Sequence, residues 1–140
     1  MTPDKMKERY NFFLNPYSDC AFSRCPKCEN ATKLKKLPLT IAIRKEMILN
    51  LNKTCRFCPY CNLLIARKKE IEGILFEKFG EKLSEKEYFI MGTIEKSDYF
   101  EGVAMAGSHF FDRVFVFKNV WDFQSAKPMW VKDKEREEDG

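Results

Sequence analysis

Between residues 37 and 54, apolar side chains alternate with smaller or polar ones. Leu39, Ile41 and Ile43 mark one run and Met47, Leu49 and Leu51 the next, with Ile48 as the exception. A period of two places such residues on one face of a strand, so this stretch predicts a β-hairpin turning at 44–46. That turn lacks the Asn-Gly or Asp-Gly pair that favours tight hairpins. Residues 63–66, Leu-Leu-Ile-Ala, predict a third short strand. The period then changes. Ile71, Ile74, Leu75, Phe79 and Leu83 fall close to helical spacing, which predicts an amphipathic helix over 68–83. Gly73 weakens that helix, and Gly80 offers a place to end it. Residues 88–94 and 113–118 predict two further buried strands. Between them, 95–112 reads as irregular chain or a short helix around Gly102 and Gly107.

These elements predict an α+β fold in four parts. Residues 1–19 form an arm, aromatic at Tyr10, Phe12, Phe13 and Tyr17 and bent by Asn15-Pro16. A cysteine-bearing hairpin unit occupies 20–67. An α+β layer of one helix and two strands, at 68–125, packs on it. Residues 126–140 end in a charged tail.

Composition narrows the class. A chain of 140 residues with 44% hydrophobic and 33% charged residues affords one packed core and excludes wholesale disorder. No apolar stretch follows the charged N-terminal residues, and no segment approaches the roughly 18 apolar residues that span a bilayer. The expectation is a soluble cytoplasmic protein without a membrane partner. All six cysteines lie between Cys20 and Cys61. In a reducing compartment they are metal ligands or catalytic thiols rather than disulfides.

Their spacing is the strongest chemical signal in the chain: Cys20, then Cys25-Pro26-Lys27-Cys28, then Cys55-Arg56-Phe57-Cys58-Pro59-Tyr60-Cys61. Two residues between cysteines let both thiolates reach one ion, and proline after the first cysteine presets φ for the turn. Cys25, Cys28, Cys58 and Cys61 are therefore the expected ligands of one closed tetrahedral Zn²⁺ site. Cys20 and Cys55 are possible additional ligands, since Cys55 and Cys58 make a competing hook. Spacing does not separate zinc from iron.

This doubled Cys-Pro-x-Cys pattern resembles the zinc ribbons, in which two such knuckles pinch one ion at the end of a β-hairpin. The resemblance covers about residues 20–67. It implies a zinc ribbon with a β-hairpin, here extended by the amphipathic helix and the two further strands. Ribbon knuckles often carry glycine just after the second cysteine, whereas Glu29 and Asn62 stand there in this chain. Two redox readings share the same residues. Cys58-Pro-Tyr-Cys61 is similar to the active-site tetrapeptide of glutaredoxins, and four thiolates on iron would resemble rubredoxin.

Charge adds a partner. The net charge is +4, but residues 1–69 hold 15 basic and 5 acidic side chains while 70–140 hold 10 and 16. Lys33, Lys35 and Lys36 follow the first hook, Arg56 lies in the second, and Arg67, Lys68 and Lys69 follow it, interleaved with Phe57 and Tyr60. Cations beside rings can hold a phosphate backbone and stack unpaired bases, so a basic ribbon face contacting RNA more than DNA is expected. A protein–protein adaptor is the alternative. No phosphate-binding glycine loop is present. His109, the single histidine, reads as a partly buried polar residue and not as part of a triad with Ser108 and Asp112. No catalytic residue stands out.

Overall fold

The computed structural model describes residues 7–44, 47–95, 102–105 and 114–121. The hairpin turn at 44–46, His109 with its neighbours and the charged tail lie wholly or largely outside that range.

The chain is mostly β. Strands β1 (Asn11–Asn15), β2 (Lys33–Ile43), β3 (Met47–Cys58) and β4 (Leu63–Arg67) precede the helix α1 (Lys68–Phe79). Then follow β5 (Tyr88–Thr93), β6 (Gly102–Met105), β7 (Phe115–Val116) and β8 (Asn119–Trp121). One sheet joins them in the order β7-β5-β2-β3-β4-β1-β8, with β6 paired to the far end of β3. It curls into a half-barrel. The expected α+β fold built on a zinc ribbon is thus incorrect. The β2–β3 hairpin exists and is longer than expected, pairing from Lys33↔Phe57 to Ile43↔Met47, but it is the middle of a large sheet.

Each strand sorts its side chains by parity. Leu37, Leu39, Ile41 and Ile43 of β2, Phe57 of β3, Leu64 and Ala66 of β4 and Phe12 of β1 enter the concave core. Ile71 and Leu75 of α1 lie in that same core, so the helix caps it. Phe13, Cys58, Leu63 and Ile65 point the other way, into a second cluster around the cysteines. Burial on both faces explains why β4 and the middle of β1 are apolar at successive positions, Leu63 to Ala66 and Phe12 to Leu14. Pro38 falls just before β2 gains β5 as a neighbour at Leu39↔Thr93, where the lost N–H costs no ladder bond.

Within the expected arm, Asn11–Asn15 form β1, inside the sheet. β1 pairs in parallel with both β4 and β8. Ahead of it, the Arg9 N–H donates to the Val116 carbonyl and the Val116 N–H to that of Lys7, each at 2.9 Å. These bonds bridge the open side of the half-barrel, where Phe12 stacks on Phe117 at 4.4 Å. Gly92 admits β7 closely: a Cβ there would lie 2.0 Å from the Phe115 carbonyl oxygen. The helix stops four residues short of the expected end, at Gly80, whose φ of 71° suits a residue without a Cβ.

Candidate metal centre

The turn from β3 into β4 carries the second hook. Cys58 ends β3 and Cys61 lies two residues before β4 begins. The antiparallel pairs Arg56↔Ile65 and Cys58↔Leu63 fix its base. Asn11 of β1 braces its outer edge: its side-chain amide donates to the Cys61 carbonyl at 2.9 Å, and its backbone N–H to that of Asn62 at 2.7 Å. Asn62 takes φ 54°.

The first hook rides on the irregular segment 20–32. An isolated antiparallel bridge, Arg24↔Ala31, closes its base, and the Thr32 hydroxyl donates to the Phe22 carbonyl at 2.7 Å. Within the hook, the Glu29 N–H donates to the Cys25 carbonyl and the Cys25 N–H to that of Asn30, each at 2.8 Å. Glu29 adopts φ 67°, the left-handed conformation that a glycine would take without strain. Phe22 is fully buried, edge-on to Phe13 at 5.3 Å, and so anchors the segment to the sheet.

Together the hooks bring the sulfurs of Cys25, Cys28, Cys58 and Cys61 within 4.8 Å of one another. Cys28 lies 3.5 Å from Cys58 and Cys25 3.8 Å from Cys61. Thiolates about 2.3 Å from a tetrahedral ion are separated by about 3.8 Å, so this set fits one ion and is far too open for disulfides. Two N–H donors already face the sulfurs, Lys27 to Cys25 at 3.3 Å and the Asn30 amide to Cys28 at 3.2 Å. Such donors spread thiolate charge.

The thiols differ in acidity. The backbone N–H of Asn30, backed by its side chain, lowers Cys28 to about 6. Burial raises Cys25 against the pull of the Cys28 and Lys27 amides, and burial with the neighbouring thiols raises Cys61. Cys28 is therefore the first ligand to ionise.

The other two cysteines are placed apart from this group. Cys55 and Cys58 are three residues apart on one strand, and parity sends them to opposite faces. Cys55 enters the concave core with Phe57, and burial pushes its thiol up to about 12. The competing Cys55–Cys58 hook is thus geometrically closed. Cys20 is fully buried in the cysteine-side cluster, beside the four but outside them.

Parity also divides the basic residues. Lys33 and Lys35 lie over the Phe57 ring at 6.0 and 5.5 Å, and Tyr10 packs edge-on to it, so Phe57 is buried and presents no open face to a base. Lys36 and Arg56 belong to the opposite face by strand alternation. Tyr60 is 74% exposed in the second hook. Arg67 donates to the Ser18 carbonyl at 3.0 Å, and Lys68 pairs with Glu85. One continuous basic face does not form from these residues. Asn11, Asn30 and Phe22 were not legible as parts of the site; only the adjacency of Asn30 to the hook hinted at its role.

Fold and site thus define a mostly β protein with a candidate tetra-cysteine metal centre on the convex side of its sheet. No family model, curated protein or solved structure matches the chain. Among the described residues no helix is long and apolar enough to cross a membrane.

Proposed function

We propose that the chain is a non-enzymatic binding module whose fold is completed by one zinc ion on Cys25, Cys28, Cys58 and Cys61, and that the surface so fixed contacts nucleic acid. The convergence of four sulfurs from two hooks thirty residues apart carries the zinc reading. A redox pair needs two thiols and an open approach. Here four are gathered with N–H donors aimed at the sulfurs, and Cys25 and Cys58 are fully buried. A closed shell of four protein ligands is the arrangement of structural zinc. When bound, the ion would hold the two hooks together, and the chain's own residues supply the rest: Asn30 and Lys27 orient sulfurs, and Phe22 and Phe13 seal the site from one side.

Elemental analysis of the native protein tests this reading. One zinc per colourless chain is expected, lost on Cys25→Ser with Cys58→Ser and retained on Cys55→Ala. Iron with visible colour, or no metal with disulfide-reductase activity, would refute it.

The nucleic-acid reading rests on the basic N-terminal half, in which cations outnumber acids 15 to 5 over residues 1–69. Binding to RNA that weakens with salt is expected. The exposed Leu34, Tyr60 and Phe89 favour a protein partner as a second reading. Association that survives nuclease treatment would select it.

A further inference from the structure

Two cations that no motif marks, Lys7 and Arg9, lie just ahead of β1. The Lys7 ammonium and the Arg9 guanidinium both sit over the Phe115 ring, at 5.8 and 5.4 Å. Arg9 also covers Tyr10 at 5.3 Å, and Tyr10 meets Phe57 edge-on at 5.7 Å. Lys33 and Lys35 lie over that same Phe57 ring. These contacts join four cations and three rings in one unbroken chain. Strand direction places the chain at one end of the half-barrel: β2 begins at Lys33, β3 ends just past Phe57, β7 begins at Phe115, and residues 7–10 lead into β1. The second cysteine hook lies at the same end, since Cys58 follows Phe57 and Asn11 follows Tyr10.

We propose that this chain of cations is a rim that holds the phosphate backbone of nucleic acid without reading its bases. The inference rests on the nucleic-acid reading above and gives it a surface. Arg9 is matched by Glu95 at 2.8 Å. Lys7, Lys33 and Lys35 have no carboxylate partner among the described residues. A ring attracts a cation through its quadrupole but carries no net charge, so these three lysines keep theirs. Glu8 bridges to β7 between Lys7 and Arg9, and strand alternation assigns it to the opposite side. Lys7, Arg9 and Lys33 are exposed and Lys35 is half-buried, so the charge is presented to solvent.

The rings set the mode of binding. Tyr10 and Phe57 are buried, and Phe115 is half-buried beneath Lys7 and Arg9, so no ring of the chain is open for a base to stack on. What the rings do is hold long, flexible side chains in place, which lowers the entropy lost when a phosphate fixes them. Contacts confined to phosphates position a strand and carry no sequence information. The rim is therefore indifferent to base identity and sensitive to salt.

Fluorescence anisotropy of the full chain with labelled short polyuridine and polyadenine RNAs, at low and rising salt, tests the rim. The two RNAs should bind within about threefold of each other, because their phosphates are alike. Lys7→Gln with Lys33→Gln and Lys35→Gln should weaken binding about tenfold or more and flatten the log–log salt slope by about 2, since each cation lost removes about 0.7 on single strands. Lys78→Gln with Lys82→Gln and Lys86→Gln removes the same charge from exposed positions off the rim and should stay within about twofold of the native protein. Lys33→Arg with Lys35→Arg keeps both charge and ring contact and should keep the slope, which separates loss of charge from loss of fold. Glu95→Gln releases Arg9 and should tighten binding, steepening the slope by about 0.7. Equal losses in the two lysine triples, or a preference above about tenfold for one RNA, would overturn the rim while nucleic-acid binding stands. Displacement of the RNA by polyglutamate as readily as by unlabelled RNA would overturn it in favour of an acidic protein partner. If the native protein binds neither RNA at low salt, the underlying reading falls as well.

Discussion

The two cysteine hooks share a sequence pattern but are built on different supports. The second is an extension of the sheet: Cys58 ends a twelve-residue strand, Cys61 precedes another, and Asn11 of a third strand braces the turn. The first hangs on a segment held by isolated β-bridges at Cys20 and at Arg24↔Ala31, one buried ring and a few backbone bonds. Identical ligand chemistry can therefore have unequal structural consequences. The second hook should persist in the apo protein, and the first should depend on the ion.

Removing the metal gives the largest expected effect. Binding free energy at structural zinc sites in small peptides is about 10–16 kcal/mol, and much of it is folding energy. With a chelator, amide exchange over 20–32 should rise by orders of magnitude, and protease should cut there. The β2–β3 ladder and the β3–β4 turn should keep their protection. Equal loss of protection in both hooks would erase the distinction between them.

Next in size is Phe22→Ala. This ring is the main apolar anchor of the first hook, fully buried against Phe13 and near Tyr17. Its backbone has φ 52°, a conformation that costs a non-glycine residue about 1–2 kcal/mol and persists because burial and the Thr32 hydroxyl hold it. Losing a buried Phe typically costs about 3–5 kcal/mol. Chemical denaturation of the holo protein should show a loss in that range, and metal affinity should fall with it. The equivalent loss of Asn11, Asn11→Ala, should cost about 1 kcal/mol, because the strand pairing still fixes the second hook.

Acid should separate the ligands by thiol acidity, across both hooks. Metal binds thiolates, so every thiol protonated in the apo protein adds a proton to be displaced. Cys25 and Cys61 are raised above the ordinary thiol value, and each should weaken binding about tenfold per unit fall in pH around neutrality. Cys28, at about 6, is already ionised at pH 7 and contributes nothing to that slope. Below pH 6 it protonates too, and the slope should steepen by one proton. Competition titration with a metal indicator at several pH values measures the slope. In the apo protein, alkylation near neutral pH should strike Cys28 first, and Asn30→Ala should remove that preference.

What could be read in advance follows the range of the interactions. The β2–β3 hairpin, the strand at β4, the helix and both hooks depend on neighbours close in sequence, and periodicity or spacing revealed them. Strands β1 and β8 are five and three residues long, too short to establish a period. Their partners lie far away in sequence, Asn11 pairing with both Leu63 and Asn119, so no local pattern marks them as strands. The ribbon expectation failed for the same reason, since it set a separate α+β layer on the hairpin, whereas the hairpin is the middle of one sheet with β5 on one side and β4, β1 and β8 on the other. Parity divides Lys33 and Lys35 from Lys36 and Arg56, and it closes the Cys55 hook. Residues 33–36 and 55–58 are strand, where neighbours alternate between faces and closeness in sequence does not make a cluster. Recognising the strand to its ends would have sent Lys36 away from Lys35, and Cys55 away from Cys58.

The smallest effect bears on the turn residue after each hook. Glu29 and Asn62 occupy equivalent places and both take positive φ, 67° and 54°. Asparagine visits this conformation routinely because its short amide can satisfy local backbone groups, whereas a glutamate there bears the Cβ penalty of about 1 kcal/mol. Glu29→Gly should recover part of that strain in the folded state, while the added freedom of the unfolded chain returns some of it. A net gain of about 0.5 kcal/mol is expected for Glu29→Gly, against no gain or a slight loss for Asn62→Gly. Paired denaturation curves of the two variants resolve such a difference. A larger gain at Asn62 than at Glu29 would show that the less supported hook is not the strained one, and that its weakness lies in packing alone.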